Sequence, residues 1–174
     1  GHLPHMRKNG QGLGMLIKYL DAQAQYGLQC HPTRPWAKKM WNSPYGKEES
    51  WYILATRPGG KIFYGFKDGV TMEQFKKAIN ESENSKTVME DLLESFEVKP
   101  GDVIYIPAKM VHAIGAGCLL LEVQEPSDFT VQPERWCGDY KLSDNEMYLG
   151  LDKDTAMECF DIAKKYPAPL EPVV

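Results

Sequence analysis

The chain has 174 residues, 43% of them hydrophobic, enough for one buried core and few for two. With 20 basic against 24 acidic residues, a net charge of -4 and no basic stripe, it offers nothing to a phosphate backbone, and no run reaches the ~20 apolar residues of a membrane span, so nucleic acid and membrane drop out as partners. Cys30, Cys118, Cys137 and Cys159 form no CxxC pair, which argues against a thiolate zinc cage and for a reduced, cytoplasmic setting.

The opening GHLPHM reads as a tag or cloning remnant over residues 1–6, so His2 and His5 take no role and residues 7–174 are expected to form a single domain. MLIKYLDA (Met15 to Ala22) and GLQCHP (Gly27 to Pro32) are short, partly apolar segments that suit neighbouring strands. Pro32, Pro35 and Pro44 with Asn42, Ser43 and Gly46 mark an irregular stretch in which RPWAKKMW holds one helical turn. SWYILATR re-enters the sheet, and Gly59-Gly60 turns it into KIFYGF as a hairpin.

In TMEQFKKAINE, Thr71 is a cap with Gln74 three residues on, and Met72, Phe75 and Ile79 share a face, so a helix is predicted, with KTVMEDLLESF as a second. VIYIP after the Pro100-Gly101 turn and CLLLEVQE after Gly115 to Gly117 are strands again. DKDTAMECFDIAKKY is an amphipathic helix with Asp152 or Asp154 as its cap, and the proline-rich tail PAPLEPVV is extended. Short antiparallel strands with an inserted helical pair fit a β-sandwich or small barrel with helices packed outside.

Four residues stand out within these elements. On a strand Gln29 and His31 point to one side, while in an extended GKEESWY Lys47, Glu49 and Trp51 share a face. His112 leaves a strand just before a glycine turn. Two imidazoles, a carboxylate and an amide oxygen are a divalent-cation set. On the residues alone a second reading stands beside it: His31 beside a turn, Glu49 solvated and His112 satisfied in the interior.

LIKYLDA, GLQCHP, GKEESWYIL, VKPGDVIYIPAKMVHAIGAG and LLLEVQEPSDFT, in this order from about Met15 to Thr130, resemble the type I mannose-6-phosphate isomerases, which are cupins. The resemblance implies a mainly β fold, a cupin β-barrel or jelly roll with a small helical insertion and a C-terminal helix. It implies Zn2+, or another divalent cation, on Gln29, His31, Glu49 and His112. It implies a sugar phosphate as partner, with mannose 6-phosphate and fructose 6-phosphate interconverted through an enediol while the cation stabilises the developing oxyanion. Lys47 matches the family's G-K-x-E lysine as a proton-transfer or phosphate-contacting group, Lys18 a phosphate contact and Glu122 a pocket glutamate. An ammonium beside a dication gives up its proton more readily.

Two positions depart from the family. Its arginine after the serine-aspartate pair is replaced by Gln132, with Arg135 three residues late as a substitute, and its serine two positions before the ligand glutamine is Gly27. A neutral amide cannot grip phosphate as a guanidinium does. The competing readings are therefore an isomerase for another, unphosphorylated sugar and a non-catalytic sugar-binding cupin module. A non-haem iron oxygenase is a third, which Gln29 and Lys47 argue against. The resemblance covers only the metal-bearing core, which leaves three readings: a short paralogue, a catalytic subunit that forms a homodimer or pairs with a second chain supplying the missing family segments, or an excised fragment.

Overall fold

The computed structural model describes residues 13–170, so the expected tag and the last four residues of the tail lie outside the described residues. Among the described residues nine strands and four short helices follow one another: β1 (Leu16–Ala22), α1 (Arg34–Trp41), β2 (Glu49–Thr56), β3 (Lys61–Phe66), α2 (Met72–Glu81), β4 (Leu93–Glu97), β5 (Val103–Ile106), β6 (His112–Ile114), β7 (Cys118–Gln124), β8 (Trp136–Cys137), β9 (Tyr140–Lys141), α3 (Asp144–Tyr148) and α4 (Lys153–Met157). Among the described residues no helix is long and apolar enough to cross a membrane.

The strands form a four-stranded sheet ordered β1-β7-β2-β5, a three-stranded sheet ordered β4-β3-β6 and the small β8-β9 ribbon, with antiparallel pairing throughout. Bridges from His112 to Gln29 and from Cys30 to Val131 widen the second sheet beyond β6. Period-2 alternation divides the side chains. Trp51, Ile53, Ile104, Ile106 and Leu120 of the first sheet meet Ile62, Tyr64 and Ile114 of the second in one core, while Phe63, Phe66 and Ala113 turn to the other side and pack on Phe75, Ala78 and Ile79 of α2. The second sheet is thus the middle of three layers.

Four expectations need correction. The mainly β class holds, but the sheets do not close into a barrel: each keeps its own hydrogen-bond ladder, and they meet only through side chains. The turn at Pro58-Gly59-Gly60 makes no hairpin, because β2 pairs with β5 and β7 whereas β3 pairs with β4 and β6. A tight turn encodes a reversal of the chain without saying whether it stays in the same sheet, and here it crosses to the facing one. KTVMEDLLESF is a single 3-10 turn at Glu90–Leu92 followed by β4, where pairing with β3 and burial of Leu93 override the helical pattern. RPWAKKMW is a full helix of eight residues, capped by Thr33 and closed by Asn42 in the left-handed region at φ 55°.

The Thr71 and Gln74 capping box forms as its spacing predicts. A second box, Ser143 with Glu146 in S-D-N-E, opens α3, a helix absent from the sequence reading. The expected C-terminal helix shrinks to α4, capped by Asp152.

Candidate metal centre

The centre lies between the two sheets, at the end where β2 begins. Glu49 and Trp51 face inward on β2, on rows shared with Gln124 and Glu122 of β7. His112 comes from β6, and its backbone exchanges both hydrogen bonds with Gln29 (2.9 and 3.0 Å), which puts Gln29 beside it on the same sheet. His31 follows two residues on, and its carbonyl accepts from Lys109 N–H at 2.8 Å.

Lys47 reaches the group because of Gly46. A Cβ there would collide with the Pro32 carbonyl and come 2.8 Å from the Arg34 nitrogen, so only glycine lets this loop press against residues 32–34. The close approach lets Lys47 N–H donate to Pro32 O at 3.1 Å, which sets its side chain beside His31.

His31, Glu49 and His112 are 1%, 2% and 0% exposed, and their candidate ligand atoms lie within 4.8 Å of one another. Each imidazole points Nδ1 at a backbone carbonyl, His31 at Phe129 O (3.0 Å) and His112 at Met110 O (2.9 Å). A carbonyl only accepts, so both Nδ1 atoms carry the proton and both Nε2 lone pairs face inward. There His112 Nε2 stands 3.2 Å from Glu49 Oε1 and His31 Nε2 stands 3.5 Å from Glu49 Oε2. Lone pairs aimed at a carboxylate repel unless a cation lies among them. The donor set and the backbone-anchored Nδ1 atoms therefore fit a divalent metal. Glu49 Oε1 and His112 Nε2 have no hydrogen-bond partner within the chain, as this fit requires.

Burial, with Lys47 and His112 nearby, lowers the His31 pKa to about 4 despite the attraction of Glu49, so the ring is neutral and ready to ligate. Lys47 Nζ donates to His31 Nε2 (2.8 Å) and pairs with Glu49 Oε2 (3.0 Å).

Glu122 sits beside this group, accepting from Trp51 Nε1 at 3.1 Å and pairing with Lys18 at 3.4 Å. Burial and the charge of Glu49 raise its pKa, against the pull of Lys47 and Lys18. Trp51 meets His112 edge to face at 5.5 Å. Lys18 also donates to Gln124 Oε1 at 2.6 Å and lies 3.5 Å from Asp128.

Arg135 does not join them. Its guanidinium is held by Glu83, by Asp144 (2.6 Å) and by Leu142 O (2.9 Å), an ion-pair network between the residues just after α2 and the start of α3. Gln132 lies against Gly27, where an added Cβ would come 3.1 Å from its Oε1, so the two positions that depart from the family adjoin each other. Sequence reasoning missed Trp41 and Phe129, which stack at 4.4 Å and set the carbonyl that orients His31. A backbone acceptor has no residue signature, and only the stacked aromatics could have hinted at it.

No protein-family model matches the chain. It is 38% identical over 121 residues to the mannose-6-phosphate isomerase ManA of Bacillus subtilis, covering 70% of this chain and 36% of that protein. It is 34% identical over 116 residues to the mannose-6-phosphate isomerase of Streptococcus mutans, covering 67% of this chain and 34% of that one. The crystal structure of the mannose 6-phosphate isomerase from Bacillus subtilis superposes with a TM-score of 0.72 at 27% identity, covering 94% of this chain and 51% of that one. A mannose 6-phosphate isomerase solved with zinc and yttrium shares the fold at a TM-score of 0.53 and 15% identity, over 74% of this chain and 52% of that one. The chain thus spans about a third of the length of the curated relatives it matches. By sequence and fold together, it is a homologue in the type I mannose-6-phosphate isomerase family.

Proposed function

We propose that the chain is a metal-dependent aldose–ketose isomerase, with Gln29, His31, Glu49 and His112 holding a zinc ion and Lys47 moving a proton at the reacting carbons. The reaction would take place at C1 and C2 of a hexose, and the resemblance to the mannose-6-phosphate isomerases points to mannose 6-phosphate and fructose 6-phosphate as the pair. The observation that carries it is the pair of histidines tied through Nδ1 to backbone carbonyls, both Nε2 atoms turned to one buried carboxylate. The resident cation would act as a Lewis acid on the sugar oxygens at those carbons.

The chain's own residues supply the rest. Lys47 Nζ stands beside Glu49 and His31, where the neutral amine would take the proton from one carbon and the ammonium so formed would return it to the neighbouring carbon. Glu122, held by Trp51 Nε1 and Lys18, accepts a sugar hydroxyl. Trp51 and the inward core of the sandwich keep water from the site. We place the activity in the cytoplasm, in keeping with the four unpaired cysteines.

The test is ketose formation from hexoses and hexose 6-phosphates by zinc-loaded protein, with a chelated control. Ketose in the loaded sample alone is expected. A sugar-binding module without turnover would instead bind sugar and yield no ketose.

A further inference from the structure

Beside Gly27 the segment 131–134 leaves two acceptors unanswered. The mutual hydrogen bonds of Cys30 and Val131 (2.9 Å each) set the register, placing Gln132 opposite Gln29 in the sheet that also carries His112. Gln132 Oε1 and Glu134 Oε1 are buried side-chain oxygens with no hydrogen-bond partner within the chain. Glu134 is only 4% exposed, and its carboxylate also receives the Leu28 N–H. It opens on a hollow of about 250 Å³ lined by Tyr26, Gly27, Glu90, Glu134, Trp136 and Lys86. That is just under the ~300–1,000 Å³ of ordinary ligand pockets, a size that suits a monosaccharide.

The charge in this hollow is wrong for an anion. It holds two carboxylates, and its one cation, Lys86, is paired with Asp139 and lies over the Trp136 ring at 4.9 Å. Arg135, next to Glu134, is committed to Glu83 and Asp144. A phosphate dianion here would meet like charge without a free counter-ion, whereas a hydroxyl donates to either oxygen. Burial and Glu90 push the Glu134 pKa up to about 7, so near neutrality the group can also donate a proton to a hydroxyl oxygen.

We propose that this protein takes an uncharged aldose, a free hexose, whose hydroxyls distant from the reacting carbons are received by Glu134 Oε1 in the hollow and by Gln132 Oε1 next to Gly27 at its wall. Buried polar atoms left unpaired cost free energy, so a ligand that answers both is bound more tightly than one that cannot. The substrate class rests on the isomerase reading above; the binding preference does not.

The experiment is calorimetric titration of the zinc-loaded protein with mannose and with mannose 6-phosphate, run beside the ketose assay. Free mannose should bind at least ~10-fold more tightly than the ester, a difference of about 1.4 kcal/mol. Glu134→Gln should narrow that gap by restoring ester binding. Gly27→Ala, which presses on Gln132 Oε1, should weaken mannose binding with zinc content unchanged. Ester binding equal to or tighter than mannose overturns the proposal, as does the absence of binding by either sugar. Mannose binding without ketose upholds the preference and removes the isomerase reading.

Discussion

Glu49→Gln is the perturbation whose consequences follow most directly from the structure. Glu49 is 2% exposed, lies 3.0 Å from Lys47 Nζ and faces the Nε2 atoms of both histidines. The substitution keeps the shape and deletes the charge. The Lys47 ammonium, 5% exposed, is then buried with an imidazole and an amide as its only neighbours in the group. Removing one partner of a buried pair costs about 3–5 kcal/mol, and because the amide oxygen still accepts from Lys47 the low end applies, about 3 kcal/mol. In a chain of this size that lowers the melting temperature of metal-free protein by roughly 6–12 °C. Zinc binding also loses its only anionic ligand, a larger defect than the ~10–100-fold that loss of an outer hydrogen-bond partner costs. Metal analysis after gel filtration and thermal unfolding of chelated protein read the two effects separately. A variant that keeps stoichiometric zinc and melts with the parent would refute the placement of Glu49 at the centre of the site.

Lys47→Met should retain zinc and lose turnover by about 10²–10⁴-fold, seen in kcat, and undiminished kcat would assign proton transfer elsewhere. Trp41→Ala removes the stack that holds Phe129, so zinc affinity should fall by up to about 10–100-fold in competition with a chelator, although Trp41 touches no ligand; unchanged affinity would detach Phe129 from the orientation of His31. Glu134 has a folded-state pKa raised to about 7 from an ordinary 4.5, so the folded state binds its proton more tightly than the unfolded chain. The resulting stability is full below about pH 4.5 and is lost as pH rises to about 7, up to about 3 kcal/mol. Glu134→Gln should flatten that decline in denaturant titrations between these pH values, and a decline equal to the parent's would show that another group drives it.

The parts of this molecule legible in the sequence are those written in local periodicity. Alternation in GKEESWY put Lys47, Glu49 and Trp51 on one side, and all three are buried on that side, while Leu28 and Cys30 turn to the helices. Thr71 and Gln74 marked a helix start because a capping box is a local device. What failed depends on distant partners. Gly59-Gly60 turns the chain, but which sheet it joins is decided by β5, β6 and β7. KTVMEDLLESF carries helix-forming residues and becomes a strand because β3 offers it a ladder. Arg135 suited a phosphate contact by chemistry alone, and its commitment to Glu83 and Asp144 follows from α3, which was not foreseen. The carbonyls of Phe129 and Met110, which fix both imidazoles, belong to backbone whose course only the fold reveals.

The central claim is that Gln29, His31, Glu49 and His112 hold a cation that isomerises an aldose. The most direct measurement follows ketose appearance by proton NMR with protein that is zinc-loaded, chelated, and chelated then reloaded. The account predicts ketose in the first and third samples and none in the second. Stoichiometric zinc with no ketose from any free or phosphorylated aldose would contradict it.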